Sequence, residues 1–146
     1  MLVFMRMREL TFMVAVLLAV VAEGCARSPT TPTGPSGDLN ESFTLSLGQT
    51  VRLSEARFSL TFDAVSSDSR CPGDAICITG GDAVVEITVA PWVGSAVHDQ
   101  LHSDGVGQVR HGSYTISLEQ LMPYPFSSRP FDPASYQATL RVTQTP

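Results

Sequence analysis

In the stretch RFSLTFDAV, residues 57–65, apolar Phe58, Leu60 and Phe62 alternate with Ser59, Thr61 and Asp63. The same period of two runs through DAVVEITVA (82–90), where Ala83, Val85, Ile87 and Val89 share one face. It returns in SYTISL (113–118) and in SYQATLRV (135–142), with Tyr136, Ala138, Leu140 and Val142 in step. Successive side chains of a strand point to opposite faces, so the pattern belongs to sheets that bury one face. Shorter strands are expected at FTLSL (43–47), TVRL (50–53), AVHDQLH (96–102) and VGQVRH (106–111). Gly48-Gln49 and the Ser-Asp-Gly of 103–105 supply turns between them. No segment sustains a helical period, although LEQLMP (118–123) predicts a single helical turn before Pro123. Seven or eight short strands predict an all-β fold, a single immunoglobulin-like β-sandwich over residues 39–146, with a small β-barrel as the alternative.

The first 38 residues read differently. Arg6 and Arg8 precede an apolar run from Leu10 to Ala22, broken only by Thr11, and small residues then lead to Cys25. This is the layout of a secretory signal over 1–24, with an apolar core short for a membrane span. The VAEGC of 21–25 resembles the bacterial lipobox, which implies lipid attachment at Cys25. Ala22 and Gly24 also suit an ordinary signal peptidase, so a secreted or periplasmic protein is the alternative. Residues 26–38, ARSPTTPTGPSGD, have no large apolar side chain to offset chain entropy, and are expected to form an extended tether. The residue after Cys25 is Ala26 rather than aspartate, which favours an outer-membrane or cell-surface location.

Cysteine parity supports the same picture. With Cys25 lipidated, Cys71 and Cys77 remain as one pair in an oxidising compartment, where disulfides persist. Their ring crosses Pro72, Gly73 and Asp74, all turn formers, and closing it stabilises by about 2 kcal/mol on chain-entropy arithmetic. Zinc would need further soft ligands, and a redox motif would have two intervening residues rather than five. Asp68, Asp74 and Asp82 could instead offer oxygen ligands to calcium, without EF-hand spacing. Beyond the signal the chain keeps seven arginines, no lysine and twelve acids, net −5. That balance argues against nucleic acid as a partner, and the absence of lysine excludes Schiff-base chemistry.

The DSRCP of 68–72, followed by Cys77 and glycines, resembles a group of uncharacterised bacterial envelope lipoproteins with an Asp-Ser-Arg-Cys-Pro…Cys motif. Their later part is similar to YTISLEQLMPYP (114–125) and YQATLRV (136–142); Thr79 stands where the group commonly has tryptophan. The resemblance implies class and location, not chemistry.

Candidate sites are sparse. His98 and His102 lie about 13 Å apart on one face of a strand, too far to share an ion unless His111 converges with them across a hairpin. No Gly-x-Ser-x-Gly elbow occurs, and no catalytic residues, metal or cofactor are expected. PYPFSSRPFDP (123–133) is the candidate recognition loop, with Tyr124, Phe126, Arg129 and Phe131, and Trp92 is a further aromatic anchor unless it packs over the sandwich end. The RPF of 129–131 is similar to a loop of chagasin-type cysteine-protease inhibitors, although their Asn-Pro-Thr-Thr-Gly loop is missing. The expected function is a non-catalytic binding or structural module, tied to the membrane by lipid and open to an envelope protein partner. The alternatives are a protease inhibitor, or a metal-binding or hydrolytic envelope protein.

Overall fold

The computed structural model describes residues 35–105, 107–129 and 131–145. The signal segment, Cys25 and the tether up to residue 34 lie outside the described residues. The chain forms β1 (Ser42–Ser46), β2 (Thr50–Leu53), β3 (Phe58–Asp68), β4 (Ala83–Pro91), β5 (Val97–His102), β6 (Gln108–His111), β7 (Tyr114–Met122) and β8 (Gln137–Gln144), with one 3-10 turn at Pro133–Ser135. Two antiparallel four-stranded sheets result, ordered β1-β8-β7-β6 and β2-β3-β4-β5. The all-β sandwich expected from the alternation is what forms. Within each sheet the chain meanders, with β1 added beside β8, rather than following the Greek-key path of an immunoglobulin domain.

The alternating residues fill the space between the sheets. Phe58, Leu60 and Phe62 of β3 and Val85, Ile87 and Val89 of β4 are buried, facing Ile116 of β7 and Ala138, Leu140 and Val142 of β8. A core side chain of this size stabilises by roughly 1.5–3 kcal/mol when taken from water. The last residues of the expected tether are drawn against the fold: Arg52 donates its N–H to Pro35 O, and Gly37 donates to Arg52 O.

One predicted element differs. Residues 118–122 continue β7 as strand, and the register against β8 shifts between Leu118 and Gln120. A β-bulge places an extra residue on one strand. Leu118 and Leu121 thereby both pack on the core across a three-residue step, which in a bare sequence looks like a helical period.

Strand ends decide where the loops meet. Asp68 pairs with Ala83 at one end of the β3–β4 ladder, and Phe58 with Pro91 at the other. Met122 pairs with Gln137 at the end of β7, and Tyr136 precedes β8 there.

Candidate functional site

The loop after β3 is closed at its neck by backbone pairs that prolong the ladder: Ser69 N–H to Asp82 O at 2.7 Å, and Cys71 N–H to Gly80 O at 2.8 Å. Gly81 sits at φ 68°, and a Cβ there would lie 1.8 Å from Ser69 O, so only glycine fits this close approach. Beyond the neck Cys71 and Cys77 form the disulfide, their Cα atoms 5.9 Å apart.

Arg70 is the one buried charged residue among the described residues, with 8% of its surface exposed. Its Nε and Nη2 donate to the two oxygens of Asp68, at 2.9 and 2.7 Å. Nη1 reaches Leu121 O at 2.6 Å and Nη2 also reaches Pro123 O at 3.0 Å, while the guanidinium stacks 5.1 Å from the Tyr124 ring centre. The Tyr136 hydroxyl donates to Asp68 Oδ2 at 2.8 Å. Burial alone would push the Asp68 carboxyl up, but the bonds from Arg70 and Tyr136 outweigh it and leave the carboxyl below its ordinary value. Burial, then the bond to Asp68, pushes the Tyr136 phenol up to about 12. The network joins the end of β3 to both ends of the 123–136 connection.

A second set of contacts ties the stapled loop to the candidate recognition loop. Gly73 donates its N–H to Pro125 O at 2.9 Å, and the Phe126 ring lies where a Gly73 Cβ would meet it at 3.2 Å. Asp74 accepts the backbone N–H groups of Ser127 at 2.8 Å and Ser128 at 3.1 Å. The two segments singled out separately in the sequence therefore form one body at one end of the sandwich.

That body exposes several large apolar side chains. Ile76 and Ile78, on either side of Cys77, are fully exposed, and Met122, Tyr124, Phe126 and Phe131 are each about two-fifths exposed. Met122, Pro123, Tyr124, Phe126 and Phe131, with Arg129, Asp132 and Ser135, line a cleft of about 440 Å³. Arg129 stacks on Phe126 at 5.3 Å, and Phe131 packs edge-on against Tyr136 with ring centres 4.6 Å apart. Arg129 and Phe131 of the inhibitor-like motif thus each pack against a neighbouring ring.

Trp92 is not part of this surface. It follows β4 at the opposite end, half exposed, with the Arg57 guanidinium 5.8 Å from its ring centre. The length of β4, roughly 26 Å at strand rise, separates it from the cleft end.

The acids and histidines do not converge. Asp68 is held by Arg70 and Asp74 by Ser127 and Ser128, while Asp82 binds His102 Nδ1 at 2.6 Å and the Ser103 N–H and hydroxyl. His98 Nδ1 lies 2.8 Å from Thr88 Oγ1, and His111 packs edge-on against Phe58. No group of three metal-ligating side chains occurs among the described residues. Asp82, His102 and Ser103 are neighbours, but the serine hydroxyl donates to the carboxylate. A serine nucleophile needs its hydroxyl on the imidazole.

Sequence reasoning missed Arg70 and Tyr136. The Asp-x-Arg spacing at the end of a strand held the signal, since residues two apart share a face. No known family, curated protein or solved structure matches the chain.

The Asp74 contact carries a pH dependence. The Ser127 amide, with help from Ser128, holds the Asp74 carboxyl at about 2, below its ordinary 3.8. A carboxyl depressed in the folded state contributes stability above 3.8 that is lost as pH falls through about 2. The protection of the Ser127 and Ser128 amides, measured against their intrinsic exchange rates, should fall over that interval, and Asp74→Asn should remove the pH dependence. Unchanged protection at pH 2 in an otherwise folded protein would contradict the contact.

Proposed function

We propose that this chain is an exported bacterial lipoprotein of the cell envelope, anchored through lipid on Cys25, whose folded domain is a non-catalytic binding module. The recognition surface is the end built by the stapled loop and residues 123–133. The carrying observation is the exposed apolar set Ile76, Ile78, Tyr124 and Phe126 on loops fixed to each other and to a buried ion pair. Flexible loops lose rotational freedom on binding, whereas a pre-fixed apolar surface does not, and exposed patches of this kind mark interaction sites. The lipobox-like VAEGC, the Ser/Thr/Pro/Gly tether and the cysteine parity support export and anchoring.

Two readouts on protein made in a bacterial host test this. Intact mass of the membrane-bound fraction should give a chain that starts at Cys25 and carries acyl groups, and Cys25→Ser should move the protein to the soluble fraction. An unlipidated membrane product, or a Cys25→Ser protein still in the membrane, would overturn the anchor. A photo-crosslinker at Ile78 should capture an envelope component that one at Val93, on the opposite end, does not. Equal capture at both positions would overturn the assignment of the surface.

A further inference from the structure

We infer that the cleft beside Phe126 is a binding site for the C-terminal end of a polypeptide, taking an apolar last side chain between the aromatic walls and its carboxylate at Arg129. The inference rests on the proposed function and names the chemistry of the partner. Four observations carry it.

The cleft volume, about 440 Å³, lies in the range of specific ligand sites and is filled by no side chain of the described residues. Its walls are Met122, Tyr124, Phe126 and Phe131, apolar surfaces that select an apolar or aromatic group.

The cation at its lip, Arg129, is not ion-paired among the described residues. Arg70 and Arg141 are ion-paired, with Asp68 and Glu119, but Arg129 has no acidic side chain within salt-bridge distance among the described residues. Stacking on Phe126 holds its guanidinium at the cleft without using its N–H donors. A planar fork of donors so placed matches a carboxylate in two-point contact.

The acid in the same cleft is already occupied on one oxygen. Asp132 Oδ1 accepts the Ala134 N–H at 2.9 Å, capping the 3-10 turn. Its negative charge repels a second carboxylate from its own side and leaves Arg129 as the place for it. Its other oxygen suits the N–H of a last residue other than proline.

Further apolar side chains stand on the stapled loop that borders the cleft. Ile76 and Ile78 stand fully exposed on the loop whose Gly73 abuts Phe126. A small free acid would leave these two side chains in water. A peptide entering by its C-terminus has preceding residues to cover them.

The test uses the chain carrying Cys25→Ser and a set of hexapeptides ending in Phe, Leu or Ala, each made as the free acid and as the C-terminal amide. Binding is read by NMR shift changes at Phe126 and Phe131 and by calorimetry. The expected result is that Phe- and Leu-ending acids bind about tenfold or more tightly than their amides and than Ala-ending acids. Arg129→Ala should abolish the difference between acid and amide, and Trp92→Ala should change nothing. Because Phe126→Ala could loosen the loop, Ile78→Ser serves as the second variant, and should weaken hexapeptides while leaving 3-phenylpropionate unaffected. Equal binding of acids and amides, or an acid preference that survives Arg129→Ala, overturns the carboxylate site while leaving the binding-module reading intact. Binding of 3-phenylpropionate alone overturns the peptide as occupant. No binding by any probe at millimolar concentration overturns the inference, and crosslinking at Ile78 then separately decides the wider reading.

Discussion

Arg70→Met should lower the stability of the domain by about 3–5 kcal/mol, the usual loss when one partner of a buried ion pair is removed. The substitution keeps most of the apolar stem but strands three acceptors. Asp68 loses its counter-ion, and the carbonyls of Leu121 and Pro123 lose their donors. Each stranded buried acceptor costs about 1–3 kcal/mol, and only the Tyr136 hydroxyl and the backbone N–H of residue 70 remain on the carboxylate. Against a total of about 5–15 kcal/mol for a domain this size, urea unfolding should show a clearly lower midpoint. Asp68→Asn should cost less, because an amide oxygen still accepts from Arg70. The double variant should lose less than the two single losses added, since the two residues form one interaction. A loss below about 1 kcal/mol for Arg70→Met, the range of exposed pairs, would contradict the structural role assigned to it.

Replacing both Cys71 and Cys77 with serine should cost about 2 kcal/mol, the loop-closure entropy of a short ring. The sandwich itself should persist, because no residue of the disulfide ring belongs to the buried core and the neck pairs of Ser69 and Cys71 are backbone bonds. The local effect should exceed what the global figure suggests. Gly73 and Asp74 lie inside the ring and make the contacts to Pro125, Ser127 and Ser128. Once the ring opens, those contacts must be won against the entropy of a free loop. Peptide binding should therefore weaken more than stability falls. Unfolding in urea with and without the cysteines gives the first quantity, and titration with a Phe-ending hexapeptide gives the second.

The sheets were legible because one buried face imposes a period of two that few other structures share. Phe58-Leu60-Phe62 and Ala83-Val85-Ile87-Val89 could be read directly, and all eight strands fall within or beside the segments their alternation marks. The bulge at Glu119 was not legible, since an inserted residue breaks the period on which strand reading depends. Chain path was not legible either. Alternation says that a strand has a buried face, not which neighbour it pairs with, and the two meanders follow from long-range register.

The candidate site was half legible. Proline and aromatic content marked 123–133, and cysteines marked 71–77, yet nothing in composition says that two loops fifty residues apart share one end of a sandwich. That follows from β3 ending beside Ala83 while β7 ends beside Gln137, and from Arg70 reaching Leu121. Residue type alone groups Trp92 with the loop aromatics. Strand direction places it at the far end.

The joint nature of that end is most directly tested by residue-resolved hydrogen exchange on the oxidised and reduced protein. Reduction should speed exchange at Gly73, Ser127 and Ser128 together, while amides of β3, β4 and β8 keep their protection. If Ser127 and Ser128 keep theirs while Gly73 loses it, the stapled loop does not hold the recognition loop, and the binding end assigned here does not exist as one surface.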